Sequence, residues 1–67
     1  MCLARVYDSS KVEDRPMLGD VASLRFKDGK LLLTTLFGEQ KEVDAVISEI
    51  DFRTSRILLE NVKSPGN

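Results

Sequence analysis

The chain has 67 residues, enough for one small domain around one core. Lys and Arg number 10, Asp and Glu number 11, there is no His and a single Cys, and the formal net charge is -1, with a pI of about 5.3. That balance lacks the basic excess that neutralises phosphates, the missing His removes the commonest near-neutral base, and one Cys excludes both an internal disulfide framework and a four-cysteine zinc site. At 42% hydrophobic and 31% charged residues the mix is globular rather than disordered. No apolar run approaches the ~20 residues of a membrane span. The opening Met1-Cys2-Leu3-Ala4-Arg5 has no apolar stretch of a signal peptide. The expectation is a cytoplasmic protein with a reduced thiol. A domain this small, without disulfides, leans on a partner subunit or a metal for part of its stability.

The dominant hydrophobic period is two. Residues 3–8 read as a first strand, with Cys2, Ala4 and Val6 on one face if extended. Asp8-Ser9-Ser10 is turn-like. Residues 11–18 contain Pro16, which breaks a strand ladder, so they read as an edge segment or irregular connection, and Gly19-Asp20 punctuates them. Residues 21–27 alternate, with Ala22, Leu24 and Phe26 on one face and Ser23, Arg25 and Lys27 on the other. Asp28-Gly29 is a strong two-residue hairpin signal. The returning strand, residues 30–37, is apolar on both faces over part of its length, and Gly38-Glu39-Gln40 is the next turn.

Residues 41–52 place Val43, Ala45 and Ile47 on one face and Ile50 and Phe52 in the opposite parity. The switch predicts a bulge or sharp bend near Ser48 and Glu49, as at a barrel corner. Val43, Val46, Ile47 and Ile50 also fit a helical spacing, but all four are β-branched, which favours a strand. Arg53-Thr54-Ser55 is a turn and residues 56–62 form the last strand. Five short strands joined by tight turns predict an all-β fold, a small closed or half-closed barrel of antiparallel strands, SH3-like or OB-like, with the SH3-like form preferred. The single barrel domain spans residues 1–62, and residues 63–67, with Pro65-Gly66, form a tail.

Cys2 is the one chemically unusual residue. Removal of Met1 would leave an α-amine and a thiol on adjacent carbons, which close a five-membered chelate ring. The α-amine loses its proton near pH ~8, far more readily than Lys. With Met1 retained, its amine, the Cys2 amide and the Cys2 thiolate form two fused rings. Either set suits Ni(II) or Cu(II) in a planar field. One chain supplies too few side-chain ligands for a closed site, whereas two chains meeting at their starts supply two thiolates. The competing reading makes Cys2 a small apolar residue facing inward with Ala4 and Val6.

Other signals point to ordinary surface. Glu13, Asp14 and Asp20 cluster around Pro16, but not at a calcium-loop spacing. Leu32, Leu36, Phe37 and Phe52 exceed what one face of a small barrel buries. They either fill both sides of a curled strand or form a dimer patch. Arg5, Arg25, Arg53 and Arg56 are expected to pair with the many carboxylates. Asp51, Thr54 and Ser55 share a turn without an adjacent His or Lys base, so the chain is not read as an enzyme.

The opening Met1-Cys2-Leu3-Ala4-Arg5-Val6 resembles the CooT family of small nickel-binding proteins associated with carbon monoxide dehydrogenase maturation. The likeness continues through Val12-Glu13-Asp14, Gly19-Asp20-Val21, Leu33-Thr34-Thr35-Leu36-Phe37-Gly38-Glu39, Glu49-Ile50-Asp51-Phe52 and Ile57-Leu58-Leu59-Glu60. The resemblance implies a cytoplasmic homodimer that binds Ni(II) through Cys2 and delivers or stores nickel for carbon monoxide dehydrogenase or its nickel-insertion machinery. Cys2 alone carries over as a metal ligand. Two rival readings stand beside it. The HypC family of hydrogenase maturation chaperones also begins Met-Cys-Leu-Ala, but typically continues with an apolar residue, Pro and Gly where this chain has Arg5-Val6-Tyr7. A small-barrel RNA-binding module would stack bases on Tyr7, Phe26, Phe37 and Phe52, against the lack of basic excess.

Overall fold

The structure is a computed structural model that describes residues 3–9 and 15–63. Five strands follow one another: β1 (Ala4–Asp8), β2 (Leu18–Lys27), β3 (Lys30–Thr35), β4 (Gln40–Asp51) and β5 (Arg56–Lys63). Each pairs with its chain neighbour, antiparallel, and β1 pairs with β5 to close the barrel. A meander reverses direction at every turn, so the first and fifth strands run the same way and the closing pair is parallel. The register there is Arg5 with Arg56, Val6 with Ile57 and Tyr7 with Leu58. Closure leaves no continuous open edge around the sheet.

Alternation fills the interior. Val6, Val21, Leu31, Leu33, Val43, Ile57 and Leu59 form the buried cluster, and Ala4, Met17, Leu18, Leu24, Ala45, Ile47 and Val62 pack against it. In β3 the pattern is strict. Leu31, Leu33 and Thr35 are buried, while Leu32 and Thr34 on the other side are half-exposed.

Bulges carry the chain around the barrel. The pairing of β4 with β5 slips between Ile47 and Glu49, which leaves Ser48 as the extra residue. This is the bend expected from the parity change, and it disposes of the helical alternative. A second slip in this pair falls between Asp44 and Val46. There the extra residue lies on β5, where Asn61 takes φ 56°, a left-handed conformation that Asn tolerates better than most residues. The bulge returns Val62 to the core side three residues after Leu59.

Two expectations for β2 need correction. Gly19-Asp20 is not a break between elements but a bulge inside a ten-residue strand: Leu18 pairs with Val6 and Val21 with Ala4, with Asp20 at φ 53°. A second slip between Val21 and Ser23 makes Ala22 the extra residue. Val21 and Leu24 therefore face the core while Ala22 is exposed. Phe26 shares the side of Leu24 but lies at the hairpin end, where it is 75% exposed. The Asp28-Gly29 turn is as predicted: Lys27 pairs with Lys30, and the φ values of 51° and 77° are those of a type I′ turn.

β3 ends at Thr35, two residues short of its predicted end. Thr35 stops it by organising the next turn. Its hydroxyl oxygen accepts the Phe37 and Glu39 N–H groups at 3.3 and 3.1 Å, and its backbone N–H donates to the Glu39 carbonyl at 2.8 Å. Gly38 follows at φ 89°. Arg15, Pro16 and Met17 lie outside any strand, as the proline demands, and the Met17 N–H donates to the Val6 carbonyl. At the other end β5 runs through Lys63, one residue past the predicted strand.

Candidate functional site

The metal-binding expectation rests on Cys2, which lies outside the described residues, as do Glu13, Asp14 and the tail beyond residue 63. The described part of the same strand begins at Leu3, with Ala4 packed against the core and Val6 fully buried. Asp20 is exposed in its bulge. Among the described residues no three of His, Cys, Asp and Glu gather closely enough to hold a metal ion.

The surface around the start of β1 has a defined shape. Leu3 and Ala4 line one side of an apolar groove of about 280 Å³, with Ile50, Phe52 and Ile57 on the other. The geometry follows from register. Arg5 stands opposite Arg56, and Arg56 opposite Asp51, so the start of β1 and the turn joining β4 to β5 share one end of the barrel. Asp51 and Arg56 border the groove and also line a neighbouring hollow of about 290 Å³ of mixed character, with Tyr7, Glu49, Thr54, Ile57 and Leu58.

Charge is distributed unevenly here. Asp51 accepts from the Arg53 backbone N–H at 2.9 Å and from its guanidinium Nη2 at 3.1 Å. The Arg53 side-chain hydrogen bond is the main reason the Asp51 carboxyl titrates below the usual carboxylate range, and burial opposes it. Arg56 is the cross-strand neighbour of Asp51, but its guanidinium is engaged by an aromatic ring. It stacks over the Tyr7 ring with 4.4 Å from its central carbon to the centroid. That contact explains how Tyr7, on the outer side of β1, is nevertheless buried.

The expected pairing of four arginines is therefore met by Arg53 alone. Arg5 and Arg25 are exposed, and Arg53 with Asp51 is the ion pair found among the described residues. In the turn after Asp51, Arg53 and Thr54 hydrogen-bond to its carboxylate, whereas the Ser55 carbonyl accepts from the Arg5 N–H at 2.9 Å. Of the surplus apolar residues, Leu32 is half-buried, while Leu36, Phe37 and Phe52 stand well out of the surface at 50%, 75% and 87% exposure. They do not fill a second side of a curled strand. The Arg56–Tyr7 stack was not predicted. Its signal lay in the parallel register of β1 on β5, which no local pattern reveals.

These features define a class: a small closed five-stranded barrel, with two hollows beside the turn joining β4 to β5 and a third at the far end of that strand pair, lined by Asp44, Val46, Asn61 and Lys63. Comparison with known proteins narrows it. The chain belongs to the CooT family, whose description is "CO dehydrogenase accessory protein CooT" and whose profile matches residues 1–60. Among solved structures it is similar to the crystal structure of a chain assigned as CooT from Carboxydothermus hydrogenoformans, with a TM-score of 0.79 and 30% identity over 88% of this chain and 95% of that one. No curated protein matches it. The family match includes Cys2 and covers all five strands as far as Glu60.

Proposed function

We propose that this chain is a Ni(II)-binding accessory protein of carbon monoxide dehydrogenase maturation that holds its metal through Cys2 in a site shared by two copies. The observation that carries the reading is the family match across residues 1–60 in a chain whose one Cys sits at position 2 and which has no His. A thiolate with nitrogen donors from the same short segment is a donor set that Ni(II) accepts readily. The nickel is cargo: donors from two chain starts, rather than a closed cage of side chains, suit release to an acceptor. A cytoplasmic setting keeps the thiol reduced and ready. Among the described residues no helix is long and apolar enough to cross a membrane.

The test is a titration of Ni(II) into protein that carries nothing ahead of Met1, beside the variant Cys2→Ser. The expected result is a sulfur-to-nickel charge-transfer band saturating at one nickel per two chains in the parent and absent from the variant. A band of equal strength in Cys2→Ser would overturn the reading.

A further inference from the structure

Closure of the barrel is staggered, and the stagger leaves part of β2 with a neighbour on one side only. Its pairing with β1 reaches Val21, opposite Ala4, and stops there. Its pairing with β3 runs on to Lys27. Among the described strands β2 packs against β1 and β3 and no other. The stretch from Ala22 to Lys27 therefore has one open side about 20 Å long. The hairpin fixes which backbone groups lie there. A two-residue loop is flanked by a pair that exchanges both hydrogen bonds, and the pairs alternate from it. Lys27, Arg25 and Ser23 thus turn their N–H and C=O groups towards Lys30, Leu32 and Thr34 of β3. Leu24 and Phe26 turn theirs to the open side.

An unpaired row of this kind is a template for another strand, and the side chains around it select which one. Arg25, Lys27 and Lys30 are exposed, with Asp28 the one carboxylate in their hairpin, and among the described residues none of the four is in an ion pair. On the other face of the same stretch Leu24 is half-buried and Phe26 is 75% exposed. A second copy of the edge is a poor match. Antiparallel pairing centred on Arg25 sets that cation against itself and Ser23 against Lys27, and like charges directly opposite one another are destabilising. We propose that this edge of β2 binds an extended segment of another protein in which acidic residues alternate with apolar ones. The segment adds a strand to the barrel sheet. Its backbone bonds to Leu24 and Phe26, its carboxylates lie beside Arg25 and Lys27, and its apolar side chains cover the Phe26 ring. The added strand lies in line with β1 and leads towards Leu3, the residue bonded to Cys2. That the segment belongs to the acceptor of the metal rests on the nickel reading above.

The experiment is amide hydrogen exchange and an NMR titration on metal-free protein in chelator, so that nickel plays no part. The probe is an acetylated, amidated peptide of alternating glutamate and valine, and its lysine–valine counterpart is the control. In the free protein the Leu24 and Phe26 amides are expected to exchange fast and those of Ser23 and Arg25 slowly. The acidic peptide should slow Leu24 and Phe26 about tenfold or more and leave Ser23 and Arg25 as they were. Arg25→Glu combined with Lys27→Glu should weaken that peptide about tenfold and make the lysine peptide the better ligand. Phe26→Ala, at an exposed position, should keep the circular dichroism spectrum and bind the acidic peptide several-fold more weakly. Slow exchange at Leu24 and Phe26 in the free protein would overturn the proposal, as would equal binding of the two peptides. Protection that grows with protein concentration alone would assign the edge to a second copy and overturn it too. If the acidic peptide fails to bind while Cys2→Ser loses nickel, the edge is wrong and the metal reading stands. If the peptide binds as stated while Cys2→Ser binds nickel as the parent does, the edge stands and the metal reading falls.

Discussion

At the scale of single residues, the informative side chains are those whose partners differ from the obvious ones. Arg56 faces Asp51 across the strands, yet its guanidinium lies on Tyr7, and Asp51 is taken by Arg53 two positions along the chain. The Asp51 carboxyl is thereby held below its ordinary range, with the Arg53 side chain the largest cause. A carboxyl depressed by folding contributes stability above the pH at which it titrates in the unfolded chain. That contribution is lost as pH falls through the lower folded value. Because the pair sits in an exposed turn, the contribution is small, and the position of the titration is the better observable. Carbon-detected NMR should place the Asp51 midpoint below that of an unstructured aspartate, and Arg53→Ala should move it upward. An unmoved midpoint would show that the guanidinium is not responsible. Thr35 is the second informative residue. Its hydroxyl accepts two backbone N–H groups of the turn that follows, which is why a residue with strong strand preference ends its strand.

At the scale of elements, alternation and bulges together decide which side chains are inside. β3 separates adjacent leucines sharply: Leu33 is fully buried and Leu32 is not. Leu33→Ala should cost about 2–5 kcal/mol, the lost transfer energy plus a cavity, while Leu32→Ala should cost well under half as much. Urea unfolding followed by circular dichroism measures both. Similar losses at the two sites would mean that the register of β3 is wrong, because a one-residue slip exchanges the faces. The bulges explain where simple alternation misleads. In β2 the core side is reached at Leu18, Val21 and Leu24, three residues apart, since the extra residues fall at Gly19-Asp20 and Ala22. In β4 the extra residue at Ser48 carries Ile50 to the side of Ile57, where an unbroken alternation would have turned it away. Each bulge adds local twist, and a barrel of five short strands needs that twist to close.

At the scale of the whole molecule, the core is small and much apolar surface remains outside it. A second copy and a shared metal would act on the same equilibrium. If nickel bridges two chains, it binds the dimer more tightly than the monomer, and linkage requires that nickel strengthen dimerisation by the same factor. Sedimentation with and without Ni(II) should therefore show a lower dimer dissociation constant in the parent and no change in Cys2→Ser. Equal dissociation constants with and without metal in the parent would rule out a bridging site.

The amino-acid sequence by itself determined the fold class, the Asp28-Gly29 hairpin, the kink at Ser48 and Glu49, and the singling out of Cys2. Each is carried by a local signal: period-two patterning, turn chemistry, a parity switch, or a residue type that occurs once. Only the tertiary structure decided that closure between β1 and β5 is parallel, that Arg56 covers Tyr7, that Ala22 is turned out in favour of Val21, and that Leu3 and Phe52 border one groove. The reason is physical. These facts depend on the stagger between strands distant in the chain, and stagger is set by how the closed barrel packs its interior, a sum over all five strands that no short stretch contains.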